Sequence, residues 1–411
     1  MHEAQQERAM KIQEVILRTL SGQYQWHEAA EILGVSERTI YRWKWRYEHD
    51  GYNGLYDHRR HRPSPRRVPV AIVQQVLGLY RERYRDWNVA HFTEQVRRHH
   101  GVHLSYSWIK AALQGAGLVA KAPRRGGHRL RRARRPLIGM LLFQDASTHA
   151  WWPSREGSPQ DLVVILDDAT SEVYDAIFVP QENTESCLAQ LRRVVEQHGV
   201  FCSLYTDKGS HFITTRTGRS PHRPQHATDP TQIGRALAEL GIQLIPANSP
   251  QARGRMERLF ETWQGRLPQE LALRGIRGYG PANAFLRQHW LAYHRRHWGS
   301  APAQAGTAFV PCHRADLEHV FALQHERTVA NDNTVQYGRM TFQITRSPLR
   351  VSFAKCRVIV YEHLDGTISI GYGPHTLGRY DLQGHALNGN GRAVEKLNHN
   401  HRAVSSRALN N

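Results

Sequence analysis

Apolar and polar positions first settle into a helical rhythm near residue 26. Ala29, Ala30, Ile32 and Leu33, then Val35, Ile40 and Trp43, predict one helix over 26–33 and a second over 36–49. Gly34 supplies the left-handed backbone a tight turn needs, and Ser36 is the predicted N-cap of the second helix. Ala30, Gly34 and Ile40 stand at the first, fifth and eleventh places of a helix-turn-helix spacing. A second set of amphipathic stretches covers 70–84, 91–99 and 105–114, with Ser105 as a cap and glycines at 101, 115 and 117 as punctuation. It reads either as another helix-turn-helix with Arg97, Ser107 and Lys110 outside, or as a helical spacer with no groove contact.

After residue 137 the pattern changes to short apolar or alternating runs at 138–144, 161–166 and 173–179, an antiparallel meander with Asp167-Asp168-Ala169-Thr170 as one turn. A helix over 185–198, a strand over 201–206, a helix over 231–240, a strand over 242–245 and a helix over 250–263 follow. The order βββαβαβα predicts a mixed sheet covered by helices. Residues 286–298 are helical, 300–311 are rich in proline and small side chains, and short strands are expected at 327–330, 334–337, 341–344, 357–361 and 367–372 with a hairpin turn at Asp365-Gly366. The predicted organisation is a helix-turn-helix domain over 10–57, a second over 68–120, a basic linker over 121–136, a mixed-sheet domain over 137–299, a linker over 300–325, a small β-domain over 326–384, and a tail over 385–411 too poor in large apolar residues to fold.

Charge narrows the partners. Lysine and arginine number 55 against 36 aspartates and glutamates, a formal net charge of +19 over 411 residues, which favours a polyanion. The face of the second helix carries Arg38, Arg42 and Lys44, and Lys110 is their counterpart in the second unit. The run 121–135 holds Arg124, Arg125, Arg131, Arg132, Arg134 and Arg135 and no acid, a segment suited to phosphates or a narrow minor groove. The longest apolar run, 162–166, suits a buried strand and not a membrane span. Four scattered cysteines form no Cys-x-x-Cys pair, so neither disulfides nor structural zinc are implied, and reduced thiols in a cytoplasmic setting are expected.

Against this basic background three acidic phrases stand out: Leu142-Phe143-Gln144-Asp145-Ala146, Tyr205-Thr206-Asp207-Lys208-Gly209, and Pro250-Gln251-Ala252-Arg253-Gly254-Arg255-Met256-Glu257. Each aspartate is read as ending a strand, and the glutamate as sitting in a helix. Three carboxylates so placed can hold hard divalent cations. Glu261, one turn beyond Glu257, rivals it as the third ligand. Asp167 and Asp168 read as turn residues.

The element order, the phrases Asp207-Lys208-Gly209-Ser210-His211-Phe212 and Asn248-Ser249-Pro250-Gln251-Ala252-Arg253-Gly254-Arg255-Met256-Glu257-Arg258, and the paired helix-turn-helix front together resemble DDE transposases and retroviral-type integrases, specifically ISNCY-type insertion-sequence transposases. The resemblance spans residues 10–385 and implies a multidomain α+β protein: helix-turn-helix units, an RNase H-like core and a small SH3-like β-barrel. It implies Asp145, Asp207 and Glu257 as catalytic residues holding two Mg²⁺ or Mn²⁺ ions, double-stranded DNA at element ends and target as substrate, a homo-oligomer on DNA, and a bacterial, nucleoid-associated setting. The places one and two turns after Glu257, often basic in integrases, hold Glu261 and Gln264, so DNA-end contacts are expected from Arg253, Arg255 or Arg258. A DNA-binding regulator that keeps the fold without activity is the alternative. A nuclease for RNA–DNA hybrids fits less well, because an A-form major groove does not admit a reading helix.

Overall fold

The computed structural model describes residues 3–56, 67–121, 132–152, 159–213, 230–247 and 254–387. Arg124, Arg125, Arg131, Arg253, most of the 211–230 insert and the tail from 388 lie outside the described residues. The chain forms two compact units, residues 1–85 with 99–119 and residues 86–98 with 120–411.

In the first unit, α1 (Glu3–Leu20) precedes α2 (Trp26–Leu33) and α3 (Glu37–Asp50). The predicted pair is therefore a trihelical unit. Val15 of α1 packs with Ala29, Ala30 and Ile40, so the three positions of the turn motif that need small or buried residues are met. Gly34 has φ +61° and the amide of Val35 closes back on the Ala30 carbonyl at 2.9 Å. Ser36 begins α3 without a side-chain cap; its hydroxyl lies 3.0 Å from the Thr39 hydroxyl instead, because that partner competes with the free amide. α4 (Val70–Glu82), α5 (Val89–His100) and α6 (Tyr106–Gly115) follow. Here the cap is made: Ser105 Oγ accepts from the Trp108 amide at 3.2 Å.

The second unit is built on β1 (Leu142–His149), β2 (Gln160–Asp167), β3 (Val173–Val179), α7 (Thr184–His198), β4 (Ser203–Thr206), α8 (Gln232–Glu239), β5 (Gln243–Pro246), α9 (Gly254–Gln264), α10 (Leu267–Leu273), α11 (Tyr279–Phe285), a π-helical turn at Leu286–Trp290 and α12 (Leu291–Trp298). The sheet order is β3-β2-β1-β4-β5, with β1, β2 and β3 antiparallel and β4 and β5 parallel to β1. This is an RNase H-like mixed sheet. All eight residues of β2 are buried, since helices cover both faces. Phe143, Leu162 and Val164 pack with Met256, Phe260 and Trp263 of α9 on one face; Leu142, Val163 and Ile165 pack with α7 and α8 on the other.

Two expectations need correction. The first strand does not span 138–144 and end at Asp145; it starts at Leu142 and runs to His149. Gly139, at φ +77°, breaks the earlier stretch, and the Phe309 ring lies where its side chain would be, 2.7 Å from an ideal Cβ. The polar half of the strand is held by pairing with β2, including Thr148 Oγ1 donating to Asp161 at 2.6 Å. The stretch 300–325 is also bound to the core along much of its length. Val310 and Val200 exchange both backbone bonds, the Ala308 amide bonds to Ile138, and Phe321 is fully buried beside α7 and α8. It contains α13 (Leu317–Val320).

Beyond it, β6 (Leu323–Thr328), β9 (Arg357–Glu362), β10 (Ile368–Tyr372), β11 (His375–Tyr380) and β12 (Ala386–Leu387) form an antiparallel sheet in the order β12-β11-β10-β9-β6, while β7 (Thr334–Tyr337) and β8 (Met340–Gln343) form a hairpin. The two share one core of Val335, Phe342, Val358, Val360, Ile370 and Tyr380. Among the described residues the strands form an antiparallel sheet and a hairpin around one core, and the hydrogen-bond ladder is not continuous between the two.

Candidate active site

Strand register places the two aspartates. β1 and β4 run parallel with Leu142 opposite Leu204 and Phe143 opposite Tyr205. Two residues further on stand Asp145, still within β1, and Asp207, the first residue after β4. Side chains alternate along a strand, so Asp145 shares a face with Phe143, whose ring meets that of Tyr205 at 5.4 Å. That is the face α9 covers.

α9 is fixed at both ends. Arg255, at its start, pairs with Asp168, and Gln264, at its end, donates to Ser147 Oγ at 2.9 Å. Ser147 is two residues past Asp145 on the same face of β1. At about 100° per residue, Glu257 and Gln264 fall on one edge of the helix, beside the buried stripe of Met256, Leu259, Phe260 and Trp263. Glu261 points about 40° further from that stripe by the same count. Helix geometry therefore separates the two glutamates that spacing alone left level.

Asp145 is 9% exposed and its Oδ1 accepts from the Ala146 amide, while Asp207 Oδ1 accepts from the Gly209 amide at 2.8 Å. Glu257 is exposed. A Cβ on Gly209 would lie 2.9 Å from Asp207 Oδ1 and 2.8 Å from the His211 ring, so a larger residue there has to push these side chains aside. The three carboxylates are oxygen donors carried by β1, the loop after β4 and α9; among the described residues their oxygens are not gathered within 4.8 Å of one another. That chemistry fits hard divalent cations.

Asp167 and Asp168, both fully buried, are structural. Burial raises the Asp167 carboxyl, opposed by hydrogen bonds from Gly139 and Thr170. Asp168 draws in four expected DNA-binding residues. Arg132 and Arg255 pair with its Oδ1, the Arg135 amide bonds its Oδ2 at 2.7 Å, and Arg134 Nη1 bonds the Asp168 and Ala169 carbonyls. Burial lowers the Arg255 pKa, and Asp168 partly restores it. The sequence showed these arginines but not their shared acid.

On α3, Arg38, Tyr41, Arg42 and Trp45 are exposed at i, i+3, i+4 and i+7, one continuous face. Trp45, 57% exposed, was missed although its helical spacing was legible. Lys44 instead lies over the Trp26 ring at 5.1 Å and 3.7 Å from Glu48. Lys110 lies over Tyr106. α5 differs again. His91 Nε2 lies 2.7 Å from Glu270, Gln95 Nε2 bonds the same oxygen, and Glu94 takes Arg266 and Tyr293.

The helix-turn-helix domain family matches residues 13–64, and the homeodomain-like domain family matches residues 39–113. The Sinorhizobium fredii protein y4bF, which carries a transposase name, is 29% identical over 91% of this chain and 81% of its own. The transposase for insertion sequence IS1202 of Streptococcus pneumoniae is 26% identical over 86% of this chain and 82% of its own. Along most of its length the chain is similar to these two proteins, both of which carry transposase names. Solved structures with some likeness to it are a simian T-cell lymphotropic virus intasome bound to a PP2A regulatory subunit (14% identity, TM-score 0.31, 69% of this chain and 91% of that one) and the HTLV-2 integrase catalytic core with magnesium (13%, 0.28, 37% and 88%). No described helix is long and apolar enough to cross a membrane.

Proposed function

We propose that the protein is a metal-dependent DNA transposase in which Asp145, Asp207 and Glu257 are the catalytic carboxylates. The observation that carries this is that β1, which bears Asp145, and β4, which leads to Asp207, are parallel neighbours in a sheet on which α9, the helix of Glu257, packs. The family phrases and the transposase names of two relatives support it. Two Mg²⁺ or Mn²⁺ ions held there would neutralise phosphate charge and acidify water. β1 carries Asp145, the end of β4 leads into Asp207, and the Asp168–Arg255 pair holds the start of α9. Water attacks the phosphorus at an element end, the P–O3′ bond breaks, and a 3′-hydroxyl is released. That hydroxyl attacks a phosphorus of target DNA and displaces a target 3′-oxygen.

DNA is held by α3 through Arg38 and Arg42, with Tyr41 and Trp45 beside them. Lys44, Lys110 and Arg135 add backbone contacts, joined by Arg124, Arg125, Arg131 and Arg253 outside the described residues. Arg132, Arg134 and Arg255 first serve Asp168, and the exposed Arg132 also faces solvent. Joining two element ends calls for a homo-oligomer.

The test is strand nicking of an element-end duplex by purified protein with Mg²⁺ or Mn²⁺. Wild type is expected to nick and Asp145→Asn to bind DNA without nicking. Binding without nicking by both would leave the regulator reading, a protein that keeps the fold and the DNA contacts alone.

A further inference from the structure

A second cluster of donors lies at the start of α7 and in the loop after β4, next to Asp207, and the proposed chemistry does not use it. Glu182 ends the segment after β3, Cys187 sits in the first turns of α7, and His211 follows Asp207 in the loop after β4. One ligand atom from each falls within 4.8 Å of the others. His211 Nε2 is 3.3 Å from Glu182 Oε1, and Cys187 Sγ is 3.5 Å from the same oxygen. Zinc bonds of about 2.0–2.3 Å at tetrahedral angles give donor–donor edges of about 3.3–3.6 Å. Both measured edges have that length before any metal enters. His211 Nε2 is buried, and the Glu182 carboxylate is its ion-pair neighbour. The Glu182 carboxylate raises the His211 pKa, so a metal would have to displace a proton from this nitrogen as it binds.

We infer that Glu182, Cys187 and His211 form a three-ligand site for a borderline transition metal such as Zn²⁺, distinct in chemistry from the all-oxygen site of Asp145, Asp207 and Glu257. Thiolate, imidazole and carboxylate together select zinc or cobalt over magnesium. Glu182 and His211 are each about one-fifth exposed, which gives a cation a way in, whereas Cys187 is fully buried. Binding releases the thiol proton to solvent and replaces the Cys187–Glu182 hydrogen bond. The site ties the loop that carries Asp207 to the start of α7. It stands whether or not the protein is a transposase.

The probe is Co²⁺ titrated into the reduced, metal-stripped full-length protein. A thiolate-to-cobalt absorption band in the near ultraviolet is expected, saturating at roughly one equivalent per chain. Zn²⁺ should abolish it and excess Mg²⁺ should not. Cys187→Ser should remove the band, His211→Ala should weaken Co²⁺ binding about tenfold or more, and Asp145→Asn should leave the band in place. A folded wild type with no thiolate band overturns the proposal, as does a band that survives in Cys187→Ser.

Discussion

Two groups of arginines in this chain look alike in sequence and differ in their surroundings. Arg38 and Arg42 stand exposed on α3 with Tyr41 and Trp45 between and beside them. Arg132 and Arg255 converge on the fully buried Asp168. A positive charge is available to DNA only where no buried acid already holds it. The first group can be offered to phosphates or bases at little cost to the fold; the second stabilises the turn after β2 and the start of α9.

Removing Asp168 should separate the two groups most sharply. Asp168→Ala leaves two arginines without their acid and is expected to lower unfolding free energy by about 3 kcal/mol, read by denaturant unfolding. Arg38→Ala should change stability by less than about 0.5 kcal/mol. If the two variants unfold alike, the division between structural and DNA-facing arginines fails.

The next effect probes the buried polar layer under α9. Trp263 Nε1 donates to His294 Nδ1 at 3.0 Å, and His294 Nε2 lies 2.9 Å from the Ser171 carbonyl. The ring is thus neutral with its proton on Nε2. Burial pushes His294 down to about 4 from 6.5. The unfolded chain therefore binds more protons between these values, so stability is full above pH 6.5 and falls as pH drops towards 4. Stability should be about 2 kcal/mol lower at pH 5 than at pH 7.5 from this group, and His294→Gln should flatten that part of the curve.

DNA binding gives a comparable but separate signal. Arg42→Ala is expected to weaken duplex binding by about 1–3 kcal/mol if it reads a base, or to lower the salt slope by about 1 if it meets a phosphate. Lys44→Ala should do less, because Lys44 is already engaged by Trp26 and Glu48. Titrations at several salt concentrations distinguish these outcomes. The smallest structural change with a catalytic readout is Gly209→Ala. Its Cβ would crowd Asp207 Oδ1 and His211, so nicking should fall well before unfolding shifts. Unchanged nicking would argue against Asp207 as a catalytic ligand.

Local pattern carried the helices of the front half well. Small and apolar residues at Ala30, Gly34 and Ile40 dictate a helix-turn-helix because those positions admit little else. α1 was not read, since its apolar positions Ala9, Ile12 and Ile16 gain meaning only against Leu55 and its neighbours. The first strand was misplaced for a similar reason: Ser147 and Thr148 look like loop residues until β2 pairs with them. α5 looked like another solvated helix, yet its His91, Glu94 and Gln95 meet Glu270 and Arg266. Amphipathic spacing identifies a polar face without saying what that face meets.

By itself the sequence determined which residue types are present, their order on strand and helix, and the strong positive charge. These follow from local backbone preference and composition. Only the tertiary structure decided that the strand bearing Asp145 lies beside the one leading to Asp207, that Glu257 lies nearer the buried stripe than Glu261, and that Asp168 takes arginines from two distant segments. Each depends on register and packing between residues far apart in the chain, which no local pattern encodes.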